Sequence, residues 1–264
     1  HQNSSSPKKR ENYTVLGFSA EQPNQIYVST NLGEDKTGIY IYDLDTKKYS
    51  ERLFGLNSVD VDGATFNKWG KLISFNYTTK HPKFYFVDEA EKQLYDSVAA
   101  LFSDKFVRIV SRSDDNNAII IRTQADRDPG TYYLLSNMKK LEKIGESQPL
   151  LKPENLSDVK YVTYTTRDNR KTKAYVTVPN GKAPFPTVVI PHGGPWARDV
   201  NIFDEWAQLL AHHGYLVIQP QFRGSTGYGL EHWKVADKKW GLTMQDDLDD
   251  GAQFLVKKGL ADPD

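Results

Sequence analysis

Thr-Val-Val-Ile-Pro-His-Gly-Gly-Pro-Trp, residues 187–196, is the stretch on which the reading of this chain turns. Residues 187–190 form a β-branched run, the composition of a short strand buried on both faces. Pro191 stops the strand because it has no N–H to give a sheet ladder. His192, Gly193 and Gly194 follow at the strand's carboxyl end, where open α/β sheets place their ligands. Adjacent glycines let the backbone turn sharply and present bare N–H groups to a reacting carbonyl oxygen, which is the chemistry of an oxyanion hole. Taken alone, the same pair also serves as a plain tight turn. The flanking sequence separates the two readings.

Downstream, the chain alternates apolar strands with helix-spaced segments. Residues 159–166 and 173–178 read as a strand pair about the polar turn 167–170. Residues 201–213 carry Phe203, Trp206, Leu209 and Leu210 at helical spacing, and Gly214 is placed to end that helix. Residues 215–220 read as a second buried strand. Residues 243–258 read as a helix with acidic residues early, lysines late and Gly259 beyond. Such alternation predicts a mainly parallel sheet with helices on both faces.

Upstream, the pattern is repetitive. Residues 25–29, 71–75 and 118–122 are equivalent strands; their markers Ile26, Leu72 and Ile119 lie 46 and 47 residues apart. Each is preceded by a polar turn and followed by an aromatic strand at 38–42, 83–87 or 130–134. A period near 45 residues with four short strands per unit is the signature of β-propeller blades. Three blades are read, with fourth strands at 49–54, 92–98 and 141–146. A closed ring needs roughly four to eight blades, so three make a partial one. The boundaries expected are 1–150 for the propeller part and 151–264 for the alternating part, with residues 1–10 a polar lead-in.

Composition narrows the function classes. Of 264 residues, 34 are Lys or Arg and 34 are Asp or Glu, a balance that argues against nucleic acid as the main partner. No apolar run has the length of a membrane span. There is no cysteine, which removes disulfides, thiolate metal sites and a Cys nucleophile. His212 and His213 lack a third ligand at suitable spacing, so no metal is expected there. The compartment stays open.

Three motifs in order carry a family resemblance: His192-Gly-Gly-Pro-Trp196, Gln221-Phe-Arg-Gly-Ser-Thr-Gly-Tyr-Gly229 and Trp240-Gly-Leu-Thr-Met-Gln-Asp-Asp-Leu248. Over residues 159–264 the chain resembles the prolyl oligopeptidase family, most closely its acylaminoacyl-peptidase-like branch. The resemblance implies a β-propeller followed by an α/β-hydrolase domain, of which this chain would hold the N-terminal half. It implies a serine peptidase acting on short peptides through an acyl-enzyme, with no metal or organic cofactor. The family's nucleophile sits in a G-x-S-x-G elbow, and no such elbow occurs here. The chain is therefore expected to stop before its Ser, Asp and His triad. The remainder of the hydrolase domain, or an oligomer, is expected to cover the open sheet edge.

On that reading Gly194 is the oxyanion donor through its N–H, and Gly193 supplies the turn. His192 shapes the loop rather than acting as the base, which in the family lies far downstream. Arg223 clamps a neighbouring loop through Asp246, Asp247 or Asp250, with substrate binding as the other role. The acidic residues 246–250 belong to a solvated helix start rather than a metal or carboxylate-pair site. Trp196 and Tyr228 line a substrate pocket or serve ordinary packing. Two rival functions stay open: an esterase on the same scaffold, and a non-catalytic propeller module that binds a protein partner. Without a triad, this 264-residue chain should leave a fluorophosphonate probe unreacted; mass-spectrometric detection of a labelled serine within it would reverse the reading.

Overall fold

The computed structural model describes residues 11–264; the lead-in read at residues 1–10 lies outside the described residues. Contacts divide the chain into two compact units. One comprises the described residues up to Gln93 with Pro195–Arg198 and Arg223–Lys238, the other Leu94–Gly194 with Asp199–Phe222 and Lys239–Asp264.

In the first unit, β1 (Tyr13–Phe18), β2 (Gln25–Thr30), β3 (Gly38–Asp43) and β4 (Lys48–Tyr49) form an antiparallel meander. The fourth strand expected over 49–54 is broken, because β5 (Phe54–Gly55) pairs separately with the start of β3. A second sheet contains β6 (Val61–Phe66), β7 (Leu72–Thr78) and β8 (Pro82–Phe86). Ile39, Val61 and Phe75 are buried between them, and Phe54 stacks on Phe75 at 5.2 Å.

The strand expected over 92–98 is instead helix α1 (Glu89–Ala99). Its sequence is rich in Glu, Ala, Lys, Gln and Leu, all strong helix formers. The Asp88 carboxylate accepts the Glu91 N–H at 3.0 Å, as an N-cap does. Leu94 and Val98, four residues apart, reach one core. Local propensity and a cap override the repeat.

That core lies in the second unit, on the meander of β9 (Phe106–Arg112), β10 (Ala118–Ala125), β11 (Asp128–Ser136) and β12 (Lys140–Glu146). Val98, Val107, Ile119, Ile121 and Leu135 fill it. The repeated strands thus fall where the 46- and 47-residue steps put them, and the chain holds a partial propeller rather than a closed one.

A second core belongs to the mixed sheet β13 (Val159–Thr165), β14 (Lys171–Thr177), β16 (Leu216–Gln221) and β15 (Thr187–Val189), in that order. The expectation of a mainly parallel sheet is corrected here. β13–β14 and β14–β16 are antiparallel, and β15–β16 is the parallel pair among the described strands. A hairpin at the start forces the first pairing, and only the crossover through helix α2 (Glu205–His212) leaves its two strands pointing the same way. Among the described strands β15 has a single neighbour, and it is half-buried, not buried on both faces.

β16 is buried along its whole length. Leu216 and Ile218 pack with Tyr164, Val176 and Leu255 of helix α4 (Thr243–Lys257). Gly251 lets α4 approach: a Cβ there would sit 3.2 Å from Ile218 and 3.3 Å from Tyr164. The Tyr164 hydroxyl donates to the Asp247 carbonyl at 2.7 Å. On α2 the buried residues are Ala207, Gln208 and Ala211, whereas Trp206 and Leu209 are exposed. Small residues and an amide let the helix lie close to the sheet, and buried Gln208 holds Ser157 through both its N–H and its carbonyl at 2.8 Å.

Asp128 is the polar centre of the third blade. It is buried and accepts from Lys105 at 2.7 Å, from Gly130 N at 3.0 Å, and from the Thr123 and Thr131 hydroxyls at 3.1 Å. Burial alone pushes its carboxyl up, but the Lys105 ammonium and these donors outweigh it and hold the pKa below the usual value. A depressed folded-state pKa stabilises the fold fully above the unfolded value of about 4, and this is lost as pH falls through the folded value. Asp128→Asn should therefore cost about 2–3 kcal/mol in urea unfolding at pH 7. The gap to wild type should narrow below about pH 4.

Candidate active site

The mixed sheet brings the carboxyl ends of β15 and β16 to the same end, because these two strands run parallel with Val189 opposite Ile218. The Ile190 N–H still donates to Ile218 O at 2.9 Å, so the strand is held up to the residue before Pro191. His192 then stacks on Phe222, just beyond β16, with ring centroids 4.5 Å apart and planes 18° apart. Its Nδ1 lies 3.0 Å from Gly193 O. The imidazole is thus engaged by a ring face and by its own loop.

Gly193 and Gly194 are exposed. Gly194 has φ +120°, a conformation that L side chains rarely adopt. A Cβ on Gly193 would meet nothing within 4 Å, so bulk does not explain that glycine. Among the described residues, neither glycine donates its N–H to a backbone carbonyl. The loop returns to the sheet at Asp199. There the buried Gln221 side chain donates to Asp199 O at 2.8 Å and accepts the Asp199 N–H at 3.2 Å. A glutamine in an apolar strand is the signal that could have found this clamp, since a buried amide must be hydrogen-bonded.

The stretch between, Pro195–Arg198, belongs to the first unit together with Arg223–Lys238. Trp196 is half exposed and meets Trp233 edge to face at 6.1 Å. The two indoles, with Asp35, Asp60, Thr226 and Gly229, line a cavity of about 160 Å³. Tyr228 has a different setting: its hydroxyl accepts from Arg198 Nη2 at 3.0 Å, and the guanidinium lies 4.6 Å over its ring.

The 227–229 backbone is tied to the first two blades. Asp60 N donates to Gly227 O and Gly229 N donates to Asp60 Oδ2, both at 3.0 Å, and Lys36 Nζ donates to Tyr228 O at 2.9 Å. The short helix α3 (Leu230–Lys234) starts on Asp35, whose carboxylate accepts the Glu231 N–H at 2.7 Å. Burial raises the Asp35 pKa, but Lys36 and the Glu231 N–H more than offset it and hold it low.

Arg223 and Asp247 are both buried, at 5% and 1% exposure. Two of the carboxylates expected to meet Arg223 have another cation. Arg167, in the β13–β14 turn, donates through Nη1 to Asp246 at 2.8 Å and through Nε to Asp250 at 2.9 Å, tying α4 to the hairpin. In sequence, a turn arginine more than seventy residues away carries no mark of this pairing. His212 and His213 sit edge to face at the end of α2.

Against known proteins, residues 201–264 match the family model described as the prolyl oligopeptidase family. Dipeptidyl aminopeptidase BIII of Pseudoxanthomonas mexicana is 34% identical over 168 residues, which are 60% of this chain and 24% of that protein. Dipeptidyl peptidase family member 6 of Caenorhabditis elegans is 24% identical over 263 residues, 90% of this chain and 36% of that protein. The chain therefore spans about a quarter to a third of these relatives. A puromycin-hydrolyzing peptidase of Mycobacterium tuberculosis superposes with a TM-score of 0.72 at 20% identity, over 96% of this chain and 40% of that one. An acylaminoacyl peptidase of Pyrococcus horikoshii gives 0.59 at 18%, over 91% and 38%. At such identities the structures speak for the fold, while the family model over residues 201–264 and these relatives make that part of the chain similar to the prolyl oligopeptidase family.

Proposed function

We propose that the full-length protein carrying this chain is a serine peptidase that cleaves short peptides through an acyl-enzyme, with Gly194 supplying one oxyanion donor. In this reading residues 151–264 are the N-terminal part of an α/β-hydrolase domain, and residues 1–150 are propeller blades. The observation that carries it is the exposed Gly193-Gly194 pair at the carboxyl end of β15, with Gly194 at φ +120°. Serine attack on a carbonyl turns its oxygen into an oxyanion, and a backbone N–H fixed in advance stabilises that charge without reorganising. Peptide substrates are supported by the peptidase names of the relatives. His192, held on Phe222, keeps the loop in shape and takes no proton.

The test uses full-length protein and a matched pair of substrates, an aminoacyl anilide and a simple ester. Gly194→Pro deletes the donor and should lower kcat about a hundred- to thousandfold, with a much smaller change in KM. Thermal unfolding near that of wild type would show that proline has not broken the loop. His192→Ala should leave the base limb of the pH–rate profile in place. A folded Gly194→Pro that turns over at the wild-type rate would remove Gly194 from the oxyanion hole. Turnover of the ester without the anilide would make the protein an esterase.

A further inference from the structure

The cavity lined by Trp196 and Trp233 lies wholly within the first compact unit, and most of its polar lining is already committed. Asn31, at 1% exposure, accepts the Asn12 N–H at 2.9 Å and donates to Glu34 O at 3.0 Å. The Thr37 hydroxyl donates to Val61 O at 3.2 Å and accepts the Val61 N–H at 3.1 Å. Asp35 is paired with Lys36 and accepts the Glu231 N–H at 2.7 Å. Asp60 stands apart. Its two carboxylate oxygens accept one backbone N–H each, from Thr37 at 2.9 Å and Gly229 at 3.0 Å, and among the described residues no ion pair compensates its charge. That charge is felt two residues on. Burial pushes the Asp62 carboxyl up, the Thr78 hydroxyl and Arg198 oppose the rise, and Asp60 adds to it.

A half-buried carboxylate beside two indoles favours a cation, because a charge partly removed from water is costly without a counter-charge. The lining separates the classes of occupant. Calcium and magnesium need a shell of oxygen ligands; the indoles offer none, and the Asn31 and Thr37 side chains are spent on backbone groups. A neutral apolar ligand would gain ring contact but leave Asp60 uncompensated. A quaternary ammonium meets both walls. Its methyl groups pack on the indoles, the rings that attract cations best, and its charge offsets Asp60 without asking for hydrogen bonds. The volume sets the size. At about 160 Å³ the cavity is far below the roughly 300–1,000 Å³ of sites for drug-sized ligands, yet cavities of about 150 Å³ accept a benzene ring. A head group fits and little more. Trp196, at 52% exposure, leaves one ring open to solvent.

We propose that this cavity binds a quaternary ammonium head group, with Trp196 and Trp233 as its apolar wall and Asp60 as its counter-charge. The inference is independent of the peptidase reading and would stand if that reading fell.

The experiment is calorimetric titration of the full-length protein at fixed ionic strength, so none of its readouts depends on turnover. Four probes are compared: choline, the amide of N-acetyl-trimethyllysine, potassium chloride, and 3,3-dimethylbutanol, which has carbon where choline has nitrogen. Choline should bind with a Kd of about 1 mM or below, and its neutral isostere about tenfold more weakly or worse. Binding of both organic cations upholds the proposal with the head alone as ligand. Binding of the lysine derivative without choline upholds it too, and assigns the head to a modified peptide side chain. Trp196→Leu, at a half-exposed position, should weaken binding of the organic cation about three- to thirtyfold. Asp60→Asn should weaken it about tenfold or more. Asparagine keeps one acceptor oxygen for two N–H groups, so Trp196→Leu decides if Asp60→Asn does not fold. Isostere binding equal to that of choline would make the cavity merely apolar, and displacement of choline by an equal concentration of potassium would make it an inorganic cation site; either overturns the proposal. So would unchanged affinity in Trp196→Leu, or no heat from either organic cation at tens of millimolar.

Discussion

β16 is bonded on both flanks and buried along its length, and the candidate site depends on how it is paired. Its antiparallel partner β14 closes a hairpin with β13, while its parallel partner β15 must arrive from the same direction. Only the parallel pairing puts the end of β15 and the end of β16 together. His192 can then stack on Phe222, and Gln221 can reach back to Asp199. An antiparallel β15 would carry its glycine pair to the far end of the sheet. Leu216 and Ile218 share the face that packs on Leu255 of α4, and a shift by one residue would bring Val217 to that face in their place.

Much of this is legible in the sequence because its causes are local or periodic. Turn chemistry before β2, β7 and β10, and the 46- and 47-residue steps between them, mark the blades without any knowledge of pairing. A β-branched run, a proline and two glycines mark the loop. The failures have equally physical causes. Residues 92–98 read as a strand from the repeat alone, yet the Asp88 cap and the Leu94–Val98 spacing favour a helix. Sheet direction is hidden because β16, buried along its length, pairs antiparallel on one flank and parallel on the other, so its composition marks neither. Arg198, Arg167 and Gln221 carry no common mark, since what distinguishes each is an acceptor far away in the chain.

Helix α2 shows how a hydrophobic stripe can mislead. Trp206 and Leu209 are its bulky apolar residues, and they are 67% and 52% exposed, while Ala207 and Ala211 lie against the sheet. Small residues win the inner position because helix and sheet can then approach closely, as Gly251 allows α4 to do on Ile218. The large residues, with Leu150 and Leu151, line a groove of about 560 Å³ on the other side. Apolar rings in water lose the burial energy that a core position gives, about 25 cal/mol per Å². Size and hydropathy therefore do not say which helix face meets the sheet; the clearance does.

A soft loop can present a rigid group only when its stiffness is supplied from elsewhere. Glycine is needed at position 194 because φ is +120° there, but the freedom that admits this conformation also admits many others. Fixing one residue's backbone costs about 1–2 kcal/mol of entropy, so ordering two glycines costs more than any single hydrogen bond returns. Several weak constraints must share the task. Ile190 is bonded to β16, and Asp199 is held twice by Gln221. None of these groups lies in the glycine pair. A loop that owes its shape to residues on either side keeps its own N–H groups clear for a ligand, whereas one stabilised from within would have used them.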